Sequence, residues 1–372
     1  MRKMILLAVA ALAAASCTRG LDEAAVRGGD EIRFVVGDFP AFGGAQTRAV
    51  GTEDPGKTEW AAGDELLLEL GNNSYGSQYA TVMFNGEGWK LKSGTLIYRE
   101  GDPAYVPHVY YAPDYEWVSG KLALKEGKVA GVDECIEGYG GITGDGQEIT
   151  VSFSNATREY SRLRIATLPD VDIVVSVECF APAGPASEVS TTYTLHSDAK
   201  GNAYLYGSFA NNSTVSVKYD NVVLADYRFS QATENGTSYA LDATVVSLEG
   251  MSLEEIDAVG QKIASEVDAG KTRFNIRLAA DAGEEVFEGI HYGLEEAGYC
   301  SIDLTLMGCE KIPARAFLMW MMLKSIALPD VTEICESAFE GCSWLRKVVF
   351  GTPLTKVYGD PSETYGGVFL KE

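Results

Sequence analysis

The feature that most constrains this chain is a 22-residue echo near its C-terminus. Lys311-Ile312-Pro313-Ala314-Arg315-Ala316-Phe317, running on to Leu328-Pro329, is answered by Glu333-Ile334-Cys335-Glu336-Ser337-Ala338-Phe339, running on to Phe350. Ile312 matches Ile334, Phe317 matches Phe339, Leu323 matches Leu345, Ile326 matches Val348 and Leu328 matches Phe350, each 22 positions on. Apolar positions recurring at a fixed step call for stacked units that share a core with their neighbours. One step toward the N-terminus, Leu304 and Leu306 take the strand positions, and Ile276 and Leu278 mark an earlier strand at a step of 28. The stretch from Glu284 to Gly298 reads as a helix, and Leu354 and Val357 begin a unit that loses register at Gly359. The array is short, about three units, near the minimum for a stable stack.

The unit formed by Ile334, Ala338, Phe339, Cys342, Leu345 and Val348 resembles the BspA-type leucine-rich repeat, over roughly residues 300 to 358. The resemblance implies a small solenoid of short strands and turns, as found in bacterial surface proteins that bind host or neighbouring-cell components. Fold carries over from such a likeness and the ligand does not.

Arg2-Lys3, the apolar Met4 to Ala15 and then Ala14-Ala15-Ser16-Cys17 look like a lipoprotein leader (residues 1–17), cut before Cys17 with lipid on its thiol; an ordinary secretory peptide is the alternative. No other segment has the apolar length to span a bilayer, so membrane contact is expected through the anchor only. Residues 18–30 read as a linker, and Asp22-Glu23 is similar to the acidic signals that send some lipoproteins to the outer face of the outer membrane. The formal charge of −23 becomes −25 once Arg2 and Lys3 leave with the leader, which repels nucleic acid and anionic membrane surfaces. Seven cysteines less Cys17 leave Cys135, Cys179, Cys300, Cys309, Cys335 and Cys342. Disulfides are permitted there, but Cys335 and Cys342 fall on repeat positions that suit buried thiols.

Between leader and repeats the chain is β-rich. Ile32 to Val35, Glu65 to Leu70, Tyr79 to Phe84 and His108 to Tyr111 are strand candidates, followed beyond the Gly-rich Gly138 to Gly146 by Ile149 to Phe153, Ile173 to Val177, Tyr204 to Tyr206 and Thr214 to Tyr219. The spacing favours two β-sandwiches, residues 31–146 and 147–248, over a barrel or a parallel sheet. Thr47-Arg48-Ala49 followed by Trp60-Ala61-Ala62-Gly63-Asp64 is similar to the start of the fimbrillin-like proteins of Bacteroidales, which include type V pilus subunits and anchors. That resemblance implies tandem transthyretin-like sandwiches. It also implies that Arg48 stands where an arginine-specific protease would free an N-terminal strand and open a groove for a donor strand from another subunit, although any loop arginine looks the same in sequence.

In residues 249–372, Leu253, Ile256, Val259, Ile263 and Val267 follow helical spacing behind a Ser252/Glu255 capping box, with Gly270 as the stop. This reads as a helical cap over the N-terminal end of the repeats. Where one unit has Glu340-Gly341-Cys342-Ser343-Trp344, the preceding one has Leu318-Met319-Trp320-Met321-Met322. Met319, Trp320 and Met321 are therefore candidates for partner contact, the alternative being that they pack on the adjacent sandwich. No nucleophile elbow, P-loop or Cys/His arrangement suggests catalysis, a cofactor or a metal; His108, His196 and His291 are scattered. The sequence reading is thus a mostly β, outer-membrane, lipid-anchored surface protein that recognises a host or bacterial surface protein without chemistry. A pilus tip or accessory subunit and a glycan-binding protein are the alternatives.

Overall fold

A computed structural model describes residues 32–42, 56–73, 76–97, 107–143, 146–153, 158–185, 190–295 and 301–358. Cys17, Arg48 and Cys300 lie outside the described residues. The architecture is mostly β.

The first unit begins with β1 (Arg33–Val36), β2 (Glu65–Asn73), β3 (Gly76–Phe84), β4 (Trp89–Gly94) and β5 (His108–Tyr111). A separate hairpin of β6 (Tyr115–Val118) and β7 (Lys121–Leu124) follows, then β8 (Ile136–Ile142) and β9 (Glu148–Ser152). Except for the hairpin, these strands close into a seven-stranded barrel in the order β1-β4-β3-β2-β5-β8-β9. The expectation of a sandwich is corrected here, because β1 pairs with β4 on one side and, in parallel, with β9 on the other, leaving no free edge. Leu66, Leu68, Val82, Val109 and Ile136 fill the interior.

Gly138, Gly140 and Gly141 of the Gly-rich stretch lie within strand β8 rather than in a connection between two sheets. A Cβ on Gly138 would lie 2.6 Å from the Phe153 ring, and one on Gly140 would lie 2.3 Å from the Thr150 carbonyl oxygen. These glycines answer close packing inside the barrel rather than a turn. The strand over Ile149 accordingly belongs to the first unit, where it pairs with Phe34.

The second unit comprises β10 (Ser161–Ala166), β11 (Asp172–Pro182), β12 (Thr192–His196), β13 (Asn202–Tyr219), β14 (Val222–Arg228) and β15 (Ser238–Asp242). They form one sheet, ordered β12-β11-β13-β10-β15 with β14 also on β13. The separate strands expected around Tyr204 and Thr214 are one 18-residue strand, β13. It bends where Glu178 pairs with Thr214 but Phe180 pairs with Phe209, leaving Cys179 (φ 54) opposite four residues. The sheet thereby curls over a single core that includes Ile165, Val175, Leu205, Val217 and Leu224.

Barrel and curled sheet are joined by a buried charge cluster. Arg158, fully buried, ion-pairs with the buried Glu134, donates to the Pro40 carbonyl (3.1 Å), and sits 3.7 Å from the Phe42 ring centre. Tyr160 also donates to Glu134 (3.1 Å).

The third unit contains β16 (Val245–Ser247), α1 (Leu253–Asp268), β17 (Arg273–Arg277), α2 (Glu284–Glu295), β18 (Ile302–Met307), β19 (Lys311–Ile312), β20 (Leu323–Leu328), β21 (Glu333–Ile334), β22 (Lys347–Phe350) and β23 (Lys356–Val357). Two parallel sheets run through it, β16-β17-β18-β20-β22 and β19-β21-β23. The 22-residue echo is the pairing register, with Ile312 opposite Ile334 and Ile326 opposite Val348. Upstream the step is 30 rather than 28, since Ile276 pairs with Leu306, and Val246 pairs with Ile276 by the same step. Thus α1 and α2 are the successive crossovers of two strand-helix-strand units. The capping box at Ser252 and Glu255 is present. Yet α1 buries Ile256, Ile263 and Val267 in the same core as Phe287 and Ile290 of α2, alongside the sheet, and the parallel sheet starts at Val245, inside the stretch assigned to a second sandwich. Asn275, buried, donates to the carbonyls of Leu224 (3.0 Å) and Thr244 (3.1 Å), tying this unit to the curled sheet.

Candidate recognition surfaces

In the parallel stack, Phe317 and Phe339 lie nearly parallel with centres 5.1 Å apart, and Trp320 stacks on Phe317 at 5.4 Å. Trp320 is 2% exposed and its ring also meets His291 of α2 at 5.2 Å. It is therefore excluded from the exposed contact expected of it, and it packs on α2 of its own unit, not on a neighbouring sandwich. Large aromatic area at that position is what joins the helical and turn-rich parts of the core.

The residues on either side of it in the chain face outward, as does Trp344 of the next unit. Met319 is 64% exposed, Met321 46% and Trp344 40%. Met319 has φ 61, and the residue 22 positions on, Gly341, has φ 77. The turn demands a left-handed residue, which glycine adopts freely and methionine does not. The Met319 amide donates to the Glu340 carbonyl (2.7 Å), and a Cβ on Gly341 would lie 2.5 Å from the Met319 sulfur, so the methionine lies across the next turn. A non-glycine residue held in this region is a form of strain that gathers at functional sites.

The described cysteines, Cys135, Cys179, Cys309, Cys335 and Cys342, are free thiols. Burial pushes the Cys135, Cys309 and Cys342 thiols up to about 12, which keeps them protonated. The Cys342 thiol donates to the Phe317 carbonyl (3.0 Å), tying one repeat to the previous one. Among the described residues no group of three or more His, Cys, Asp or Glu side chains could hold a metal ion. None of their helices is long and apolar enough to cross a membrane.

A second surface, which the sequence reading missed, lies on the outside of the barrel. In β5, Val109 and Tyr111 point inward while His108 and Tyr110 point outward; in β8, Glu137 and Tyr139 share that outer face. His108 pairs with Tyr139 across the strands and stacks on it, 5.1 Å apart and 11° from parallel. His108 also meets Tyr110 at 4.6 Å, Tyr110 meets Trp117 of the β6-β7 hairpin at 6.1 Å, and Trp117 meets Tyr79 at 4.8 Å. Polar atoms of the row are held. Tyr139 donates to Glu137 (3.0 Å), Tyr79 approaches Glu69 (3.4 Å), Trp117 donates to the Ala80 carbonyl (3.2 Å), and Glu137 pairs with His108. Burial, with Glu137 and Glu69 nearby, raises Tyr110 far above its ordinary value, so its hydroxyl stays neutral. The signal was the alternation of aromatic and charged residues, His108/Tyr110 and Glu137/Tyr139, on strands whose other face is apolar.

No family model matches the chain, and no curated protein matches it. Among solved structures, a comparison aligns it with the Bacillus anthracis TIE protein at 13% identity and a TM-score of 0.16. The alignment covers 59% of this chain and 36% of that one, and a score so low carries no argument about fold or function.

Proposed function

We propose that this is a lipid-anchored surface protein that recognises another protein through the turn edge of its parallel stack, without chemistry. Cys17 supplies the outer-membrane anchor, the barrel and curled sheet act as a fimbrillin-like stalk, and the stack is a BspA-type leucine-rich repeat unit. The observation that carries the reading is the pair Met319 and Met321, both solvent-facing, with Met319 in a backbone conformation that the next repeat gives to glycine. Flexible apolar side chains at a raised turn provide adaptable contact area. Cells carrying wild-type protein should adhere to an immobilised host or neighbouring-cell surface protein, and Met319→Gly/Met321→Ser should abolish most of that adhesion with stability unchanged. Equal adhesion by the double variant, or by cells lacking the protein, would sink the reading. Cys17→Ala should move the protein from the membrane fraction into the medium.

A second reading, a pilus tip or accessory subunit assembled by strand exchange, is favoured by one observation. Strand β1, which precedes Arg48, is the barrel's closing strand, so its removal would bare the edges of β4 and β9. A boiling-sensitive ladder in the sheared surface fraction, lost in Arg48→Ala, is the expected sign; monomer alone rejects it.

A further inference from the structure

We propose that the outer face of the barrel around Trp117, Tyr110, His108 and Tyr139 is a binding platform for neutral glycans, chains of uncharged hexopyranose rings. A pyranose offers a face of C–H groups and a rim of hydroxyls. The complementary surface is a row of aromatic rings with acceptors at its border. Both parts are in place: four ring contacts run from Tyr79 to Tyr139, one stacked, two tilted and one edge-on between Tyr110 and Trp117, and the carboxylates of Glu69 and Glu137 stand beside them. Tyr139 is 46% exposed, so its ring is offered to solvent rather than used to seal the barrel.

The row is rigid before any ligand arrives, because hydrogen bonds to Glu137, Glu69 and the Ala80 carbonyl hold three of its side chains. Preorganisation lowers the ordering cost of binding. Charge decides the class of sugar. Among the described residues no Lys or Arg pairs with Glu69 or Glu137, and the chain carries −23 overall, so uronates, sialosides and phosphorylated sugars are repelled. A basic peptide is the other chemistry that aromatic rings and carboxylates attract. The structure favours the sugar, because the pairing of Glu137 with His108 offsets its pull on a cation while its second oxygen, like that of Glu69, still accepts from a hydroxyl, and the Tyr139 ring remains open.

The test uses the full chain on immobilised neutral hexose oligosaccharides, on uronate-containing counterparts and on an oligolysine peptide. Retention on the neutral chains alone is expected. Tyr139→Ala should weaken it about tenfold, as loss of one aromatic stacking partner implies. Glu137→Gln should weaken it less, and Met319→Gly/Met321→Ser should leave it unchanged, which separates this site from the stack. Because Tyr139 is exposed, its truncation leaves the fold in place, and matching thermal unfolding confirms that before binding is compared. No retention on any neutral chain, undiminished retention by the folded Tyr139→Ala protein, or retention on oligolysine alone would overturn the proposal.

Discussion

In the parallel stack Ile326 pairs with Val348, 22 residues on, whereas in the barrel Phe34 pairs with Ile149, 115 residues on. Each repeat closes its contacts with the next one along the chain, while the barrel has no finished edge until its first and last strands meet. Local pairing costs little loop entropy and long-range closure costs more, so the stack is expected to form fast and to open locally, and the barrel to behave as one cooperative body. Their surfaces differ accordingly. Recurring turns make an edge that varies one residue at a time, as Met319 against Gly341 does, whereas the barrel builds its aromatic row from strands β3, β5 and β8 and a hairpin, and no single segment contains it.

The strongest way to break this comparison is Phe339→Ala. Removing a buried ring stacked on Phe317 should cost about 4 kcal/mol, read by urea unfolding, with Cys309 and Cys342 becoming accessible to a thiol reagent before Cys135. Simultaneous labelling of all three would mean that stack and barrel are one cooperative unit. On the barrel side, Arg158→Ala should cost about 3 kcal/mol by leaving Glu134 buried without its partner, and Cys135 should now be labelled first.

Asp133, in the connection from β7 to β8, sharpens the contrast through pH. Burial raises its carboxyl to about 6 from an ordinary 3.8. The folded state therefore holds this proton more tightly than the unfolded chain. The stability it contributes is complete below pH 3.8 and is lost as pH rises through 6. Asp133→Asn should recover about 3 kcal/mol at neutral pH and flatten that part of a stability-against-pH curve, with thiol labelling of Cys135 slowed and that of Cys342 unaffected. The smallest effect is expected from Met319→Gly. Relief of left-handed strain, about 1 kcal/mol, opposes loss of the contact over Gly341, so the midpoint of thermal unfolding should hardly move while partner adhesion falls. A large loss of stability would make Met319 a packing residue and remove it from the proposed recognition edge.

The sequence by itself determined what is local: the 22-residue register, Phe317 over Phe339, and the Ser252/Glu255 cap. In each case the partner lies within a repeat or a helical turn, so spacing along the chain is spacing in space. It also marked Met319 and Met321 as unusual, because neighbouring repeats provide their own standard of comparison. Only the tertiary structure decided that the strands before residue 153 close a barrel and that Gly138 and Gly140 serve packing rather than a turn. It alone decided that Cys179 lies at a bend in a curled sheet, that Trp320 turns inward onto His291, and that Tyr79, Tyr110, Trp117 and Tyr139 meet on one face. The physical reason is that strand pairing is non-local. A period of two says which side chains share a face but never which strand will lie beside it, so contacts between distant strands exist only once the whole sheet has chosen its order.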